Sequence, residues 1–296
     1  MSTVPEGARV FDRRQHMRNR ARAVDGFEQH DFLFREVAER LDERLLDVDR
    51  RFPLALSIGG RGPLPALPGG AGERIDRMIT MDPVAGFARP GPAVVADEEW
   101  LPFAEQSFDL VVSVLSLHWV NDLPGALIQI RRALKPDGLF IAALFGGQTL
   151  TELRRALMEA EIAVEGGVSP RVSPFADVRD GGALLQRAGF ALPVADSDVI
   201  TVTYETPFRL FADLRGMGEQ NAVAERRRTP LRRETLMRAA TGYVEAEAGD
   251  DGRIPATFEV IWLTGWAPDP SQQKPLRPGS ATSRLADALG TRERPV

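Results

Sequence analysis

The chain has 296 residues, enough for one large domain or two small ones and for a sizeable buried core. Hydrophobic residues make up 43% and charged residues 27%, which excludes a mainly disordered chain, and no run of 18 apolar residues is present to cross a membrane as a helix. Net charge is −5 and cysteine is absent, which argues against a general nucleic-acid binder and excludes disulfides, thiolate nucleophiles and zinc–thiolate sites.

Of the 37 basic residues only Lys135 and Lys274 are lysines. That bias belongs to composition, so an arginine-rich run carries little information here. Residues 1–23 are arginine-rich but contain Glu6 and Asp12 and lack an apolar signal-peptide core. The plain expectation is a cytoplasmic, bacterial-type protein.

Taken in chain order, Phe27, Phe34, Val37, Leu41, Leu45 and Val48 recur at helical spacing over 27–48. Phe52 to Ile58 is a short apolar run that fits a buried strand, and it ends in the glycine turn Gly59-Gly-Arg-Gly62. Further strands are expected at 78–81, closed by Asp82, at 93–96, closed by Asp97, and at 108–115. A helix follows from about Asp122, where Asn121 or Asp122 can cap it and Leu123, Leu127, Ile130 and Leu134 form its apolar stripe. A fifth strand is expected at 139–144, helices at 150–165 and 178–188, and two more strands at 194–204 and 256–263. Between these last two lies a helical, arginine-rich segment at about 208–248, and from Ala267 the tail is Pro-rich and polar.

Strands alternating with helices imply a mostly parallel sheet covered on both faces, which binds ligands at the carboxyl ends of its strands. The polar residues closing the first four strands therefore share one neighbourhood. Asp82 follows Ser57 at the distance of an acid that accepts from ribose hydroxyls. Asp97 and Glu98 close the next strand, where an acid can accept from an exocyclic amine. Two acids on successive strand ends suit a nucleoside and repel a pyrophosphate. Arg61 and Pro63 stand where a nucleotide fingerprint wants glycine, so a surface loop with ordinary strand-end aspartates is the plain alternative.

The same residues are familiar. The order of strand ends resembles class I S-adenosylmethionine-dependent methyltransferases, and the chain resembles more narrowly the mitochondrial respiratory complex I assembly factor 5 family. The segments that carry it are Asp97 to Phe103, Ser107 to Ser113, Leu115 to Pro124, Leu134 to Gly138, Phe145 to Leu150, Gly167 to Phe175, Leu214 to Glu219 and Gly279 to Ala281. Leu-His-Trp-Val-Asn-Asp-Leu-Pro and Ser-Pro-Arg-Val-Ser-Pro-Phe are the most specific of them. The resemblance implies a seven-stranded, mostly parallel Rossmann-like sheet with helices on both faces. It divides the chain into an N-terminal helical segment (1–52), a methyltransferase-like domain (53–266) with a helical insertion at about 208–248, and an extended tail (267–296). It implies S-adenosylmethionine as cofactor, with Ser57, Gly59, Asp82, Asp97, Glu98 and Ser113 as contacts, and a peripheral-arm subunit of complex I as partner. The family usually carries an acid where Ser57 stands and a small residue near Arg61. Ser57 supplies a hydrogen bond but no charge.

His118, Trp119, Asn121 and Asp122 follow the fourth strand, the place that faces the transferring group, and are the catalytic candidates. His118 can act as a base near neutral pH. Trp119 can wall the pocket or stack on a guanidinium. Asn121 and Asp122 can pair with one, and either can equally cap the next helix. No metal site is expected, because His16, His30 and His118 are the only histidines and none forms a local His-x-Asp pair. The run Glu225 to Arg228 with Arg232 and Arg233 can meet an acidic protein face or anionic lipid, with a solvated helix face as the simpler reading. Three functions follow: an enzyme modifying an arginine of a complex I subunit, cytoplasmic and at most peripheral at the inner membrane; an O-methyltransferase of a small molecule or carrier protein; or a non-catalytic assembly factor with a decayed cofactor pocket.

Overall fold

Apolar residues alternate between two faces along the central strands, and that alternation builds a sheet with a core on each side. In a computed structural model, which describes residues 9–59, 61, 70–88, 91–175, 177–273 and 290, seven strands form one sheet. They are β1 (Ala55–Ile58), β2 (Met78–Asp82), β3 (Ala93–Val95), β4 (Phe108–Val114), β5 (Leu134–Phe145), β6 (Ala191–Tyr204) and β7 (Ile254–Trp266), in the order β3-β2-β1-β4-β5-β7-β6. The first five run parallel, and β7 is antiparallel to both β5 and β6. The sheet thus has the expected seven strands in a mostly parallel arrangement. The chain reverses its direction of travel between β1 and β4, so a crevice opens at the carboxyl ends of these two strands.

Leu110, Val112 and Val114 of β4 and Leu139, Ile141 and Ala143 of β5 face one core, with α2 (Phe32–Leu46), α4 (Thr151–Glu165) and α7 (Arg233–Glu247). Phe108 and Val111 of β4 and Phe140 and Ala142 of β5 face the other, under α3 (Leu123–Ala133) and α5 (Val178–Ala188). Asp122 caps α3 by accepting from the Gly125 N–H at 2.8 Å. The segment expected to be helical over 208–248 is instead two helices, α6 (Pro207–Gly216) and α7, joined by a connector. Glu225 to Arg228 and Arg232 lie in that connector, not on a helix face, and Arg233 opens α7. There Arg226 pairs with Asp12 and Arg227 with Glu165.

α1 (Arg13–Ala23) lies across the carboxyl ends of the strands. Asp12 caps it, accepting from the Gln15 N–H at 3.0 Å. Its buried residues are His16, Asn19, Arg20 and Ala23, so it docks through polar groups and not through an apolar stripe. Between β1 and β2 the described residues contain only a one-turn 3-10 helix, Ala71–Arg74. Gly60, Gly62 and Pro63 of the glycine turn and the Gly279 to Ala281 block lie outside the described residues. Among the described residues no helix is long and apolar enough to cross a membrane.

Candidate functional site

Strand order brings the ends of β1, β2, β3 and β4 together, as the sequence pattern implies. Ser57 pairs in register with Thr80 and Val112, and Ile58 with Ser113. The Ser57 and Ser113 hydroxyls are buried and make no hydrogen bond. Gly59 turns at φ +77°, where a Cβ would meet the Ser116 side chain at 2.3 Å. Asp82 and Glu98 are fully buried and Asp97 is half-buried. All three acids are engaged by α1. Arg20, itself fully buried, pairs with Asp82, reaches Glu98 at 3.6 Å and donates to Ser116 Oγ at 3.3 Å. Arg13 pairs with Glu98 and donates to Asp97 Oδ1 at 2.7 Å.

Charge crowding sets the protonation of this corner. Burial works to raise the pKa of Glu98, but Arg13 and then Arg20 outweigh it and hold the carboxyl at about 2. Burial pushes Asp82 up against the pull of Arg20, and the Glu98 carboxylate adds to the push. The Arg13 guanidinium is raised: burial opposes its charge, and Glu98 and Asp97 overcome it.

A second cluster follows β4. Trp119 stacks on His16, with ring centroids 4.6 Å apart and planes inclined 24°. Its Nε1–H donates to Glu219 Oε2 at 2.7 Å. His118 Nε2 lies 3.3 Å from the same oxygen, so the proton belongs on Nε2 and the buried Nδ1 has no partner. Burial lowers the His118 pKa against the hydrogen bond and charge of Glu219, which leaves the ring neutral at pH 7. Glu219 Oε1 is 2.6 Å from Arg61 Nη1. Arg61 is buried, donates to the Met217 and Leu115 carbonyls and sits 4.7 Å over the Phe34 ring. Burial opposes the charge of Glu219, and Arg61 with His118 overcomes it to hold that carboxyl at about 2.

Trp119 and Glu219 line a cavity of about 740 Å³ between α1, α4, α6 and α7. Phe145, Leu153, Phe175 and Phe211 form apolar wall, and Arg22 and Arg215 lie on its rim. His118 sits behind the wall, packed between Trp119, Phe145 and Phe175. Asn121 is turned away, exchanging hydrogen bonds with the Phe11 backbone at 2.8 and 3.2 Å, and Asp122 serves as the α3 cap. The structure thus brings His118 and Trp119 together, and gives Asn121 and Asp122 structural partners. Trp100, which follows Glu99 beyond β3, is exposed, and Trp262 is in the core with its Nε1–H on Asp198.

A family model described as a methyltransferase domain matches residues 74–142, beginning past β1 and the glycine turn. A protein of Bacillus halodurans C-125 provisionally named a methyltransferase superposes with a TM-score of 0.50 at 14% identity, over 77% of this chain and 99% of that one. That likeness shows the fold. The relative named arginine-hydroxylase NDUFAF5, mitochondrial, is 43% identical in Danio rerio, over 95% of this chain and 90% of that one. Its namesake in Homo sapiens is 45% identical over 95% of this chain and 84% of that one. The chain belongs to the NDUFAF5 arginine-hydroxylase family. A malonyl-[acyl-carrier protein] O-methyltransferase of Halorhodospira halophila is 35% identical over 88% of this chain and 90% of that one. By fold and kinship this family member is an enzyme of the S-adenosylmethionine-dependent methyltransferase type.

With α1 docked, the residues at the strand ends do not fit that cofactor. Ser57 brings no charge, the Asp82 and Glu98 carboxylates are spent on guanidiniums, and no acid of the corner is left with both oxygens open. Arg13, Arg20 and Glu219 are the residues that sequence reasoning passes over. Glu219 closes one of the family-like blocks. The two arginines stand in a segment whose arginine content is easily taken for compositional bias.

Proposed function

We propose that this chain modifies the side chain of a protein arginine on a subunit of respiratory complex I, with S-adenosylmethionine as the ligand of the Asp82–Asp97–Glu98 corner. The observation that carries the reading is 43% identity over 95% of the chain to a relative named an arginine hydroxylase. The cavity supports it. A long side chain entering there runs along Leu153, Phe175 and Phe145 and meets Glu219, a carboxylate whose Oε1 has an ion-pair partner but no aligned hydrogen bond. Its Oε2 is taken by Trp119 and His118, so an entering guanidinium would pair at Oε1 in place of Arg61. Neutral, buried His118 holds the other oxygen of Glu219 and so positions this carboxylate.

A second reading is methyl transfer to a carboxylate, as the name of the Halorhodospira halophila relative describes. Arg22 and Arg215 favour it, since neither has an acidic partner among the described residues and both can receive an anion. Peptide mass comparison of complex I subunits from cells with and without the protein separates the two. One oxygen atom lost from an arginine peptide in the deletion supports arginine hydroxylation. One methylene lost from a carboxylate-bearing molecule supports methyl transfer. If every subunit peptide is unchanged, the first reading is overturned.

A further inference from the structure

We infer that α1 and a nucleoside ligand are alternative occupants of the strand-end corner, with Arg20 standing in for the ribose hydroxyls on Asp82 and Arg13 for the exocyclic amine on Asp97 and Glu98. The inference rests on the proposed function only for the choice of S-adenosyl compounds as probe.

Three observations carry it. First, the acids at the ends of β2 and β3 each accept one local hydrogen bond, from the Val84 N–H, the Glu99 N–H and the Ser116 hydroxyl, and α1 adds guanidinium donors to every one of them. Arg20 is fully buried, so its side chain fills space inside the corner and does not merely skirt it. Second, α1 is held chiefly by charge, with Ala23 its one buried apolar residue and the His16 ring stacked on Trp119. Of its residues, His16, Asn19, Arg20 and Ala23 are the buried ones. Buried ion pairs return little more than they cost in desolvation, so a helix docked this way is readily exchanged for a ligand offering equivalent donors. Third, the docked state leaves polar atoms unmatched. Arg13 Nε, Arg20 Nε, His16 Nε2, Arg61 Nε, Ser57 Oγ and Ser113 Oγ are all buried without a hydrogen bond. Unmade bonds of this kind weaken the closed arrangement against one in which a ligand satisfies the strand-end hydroxyls.

The consequence is a ligand affinity scaled down by the fraction of molecules in which α1 is away. The test uses the full chain, S-adenosylhomocysteine as probe, binding by calorimetry and α1 monitored by hydrogen exchange of a peptide spanning 13–23. Arg13→Ala and Arg20→Met are expected to bind the probe at least about tenfold more tightly than the unsubstituted chain. At saturation, amides of 13–23 are expected to exchange faster in the unsubstituted chain. Arg13 lies at the edge of the corner, so its variant serves where Arg20→Met fails to fold. Binding to the unsubstituted chain with 13–23 equally or better protected overturns the exclusion while upholding the cofactor assignment. Absence of saturable binding in the unsubstituted chain and both variants overturns the exclusion and the cofactor assignment together.

Discussion

Glu219 gives the sharpest test of how the site is held together. Its carboxylate serves Arg61, Trp119 and His118 at once, and the side chain is 4% exposed while that of Arg61 is fully buried. Glu219→Gln keeps the size, and keeps an oxygen for Trp119, but removes the charge. Arg61 is then a buried cation whose remaining protein partners are two carbonyls, the Phe34 ring and the more distant charge of Asp82. Breaking one side of a buried ion pair costs about 3–5 kcal/mol. In a chain of this size that lowers the melting temperature by roughly 10 °C. Arg61→Met should cost a comparable amount, because it strands the carboxylate instead. The double variant removes both charges together and should recover much of the loss, giving a coupling energy of about 2 kcal/mol or more. Urea denaturation measures all four proteins, with an unchanged m value as the condition for comparing them. A loss below about 1 kcal/mol for Glu219→Gln, or simple additivity in the double variant, would refute the reading of this pair as a structural anchor beneath the cavity.

Three further outcomes are expected. Asp122→Ala loses the α3 cap and should cost about 1 kcal/mol in urea denaturation while leaving arginine modification in place; loss of modification at full stability would restore Asp122 to the chemistry. Gly59→Ala forces a Cβ onto the Ser116 side chain at a φ of +77°, so a destabilisation of about 2 kcal/mol or more is expected in the same assay, and a neutral variant would mean the turn is not held as described. Acid unfolding should come in two stages. His16 and His118 have depressed pKa values, from burial first, so the stability they hold above their ordinary value of 6.5 drains away as pH falls below it. Glu98 and Glu219, held at about 2 against an ordinary 4.5, contribute stability above 4.5 that is lost as pH falls toward 2. Asp82, raised from 3.8, works in the opposite direction and softens the second stage. Stability measured by urea at a series of pH values checks this, and a flat profile from pH 7 to 3 would contradict it.

The sheet was legible because its signal is local. The strands are short runs rich in apolar residues, the first three closed by Gly59, Asp82 and Asp97, and seven such runs appear in the sequence where seven strands stand in the fold. β5, β6 and β7 run longer than expected, since Leu134, Ala191 and Thr264 to Trp266 join the ladder outside the apolar runs. The positions of Asp82, Asp97 and Glu98 were equally legible, because topology alone carries strand ends to one place. Their partners were not. Arg20 and Asp82 are 62 residues apart and Arg61 and Glu219 are 158 apart, and no periodicity links such pairs. In a chain with 35 arginines, a helix that buries Arg20 and pairs Arg13 with acids looks like any other basic segment until it is docked. The connector between α6 and α7 was missed for the complementary reason: its arginines are good helix formers, yet Arg226 and Arg227 are drawn to Asp12 and Glu165, and those long-range pairs decide its path.

The charge balance of the corner ties these elements to a ligand preference. Asp82, Asp97, Glu98 and Glu219 stand against Arg13, Arg20 and Arg61, and the neutral rings of His16 and His118 add nothing. With α1 in place the cluster is therefore one negative charge in excess, and the upward push of Glu98 on Asp82 is where that excess is felt. With α1 away the excess grows to three, because both arginines leave together on one helix. A pyrophosphate entering then meets three carboxylates and a single guanidinium already claimed by Glu219. A ligand with hydroxyl and amine donors meets acceptors on two successive strand ends, and a positive centre on that ligand gains further from the field of the acids. Selection against phosphates thus needs no residue beyond those that hold α1, and the acids that attract the helix are the ones that would discriminate among its competitors.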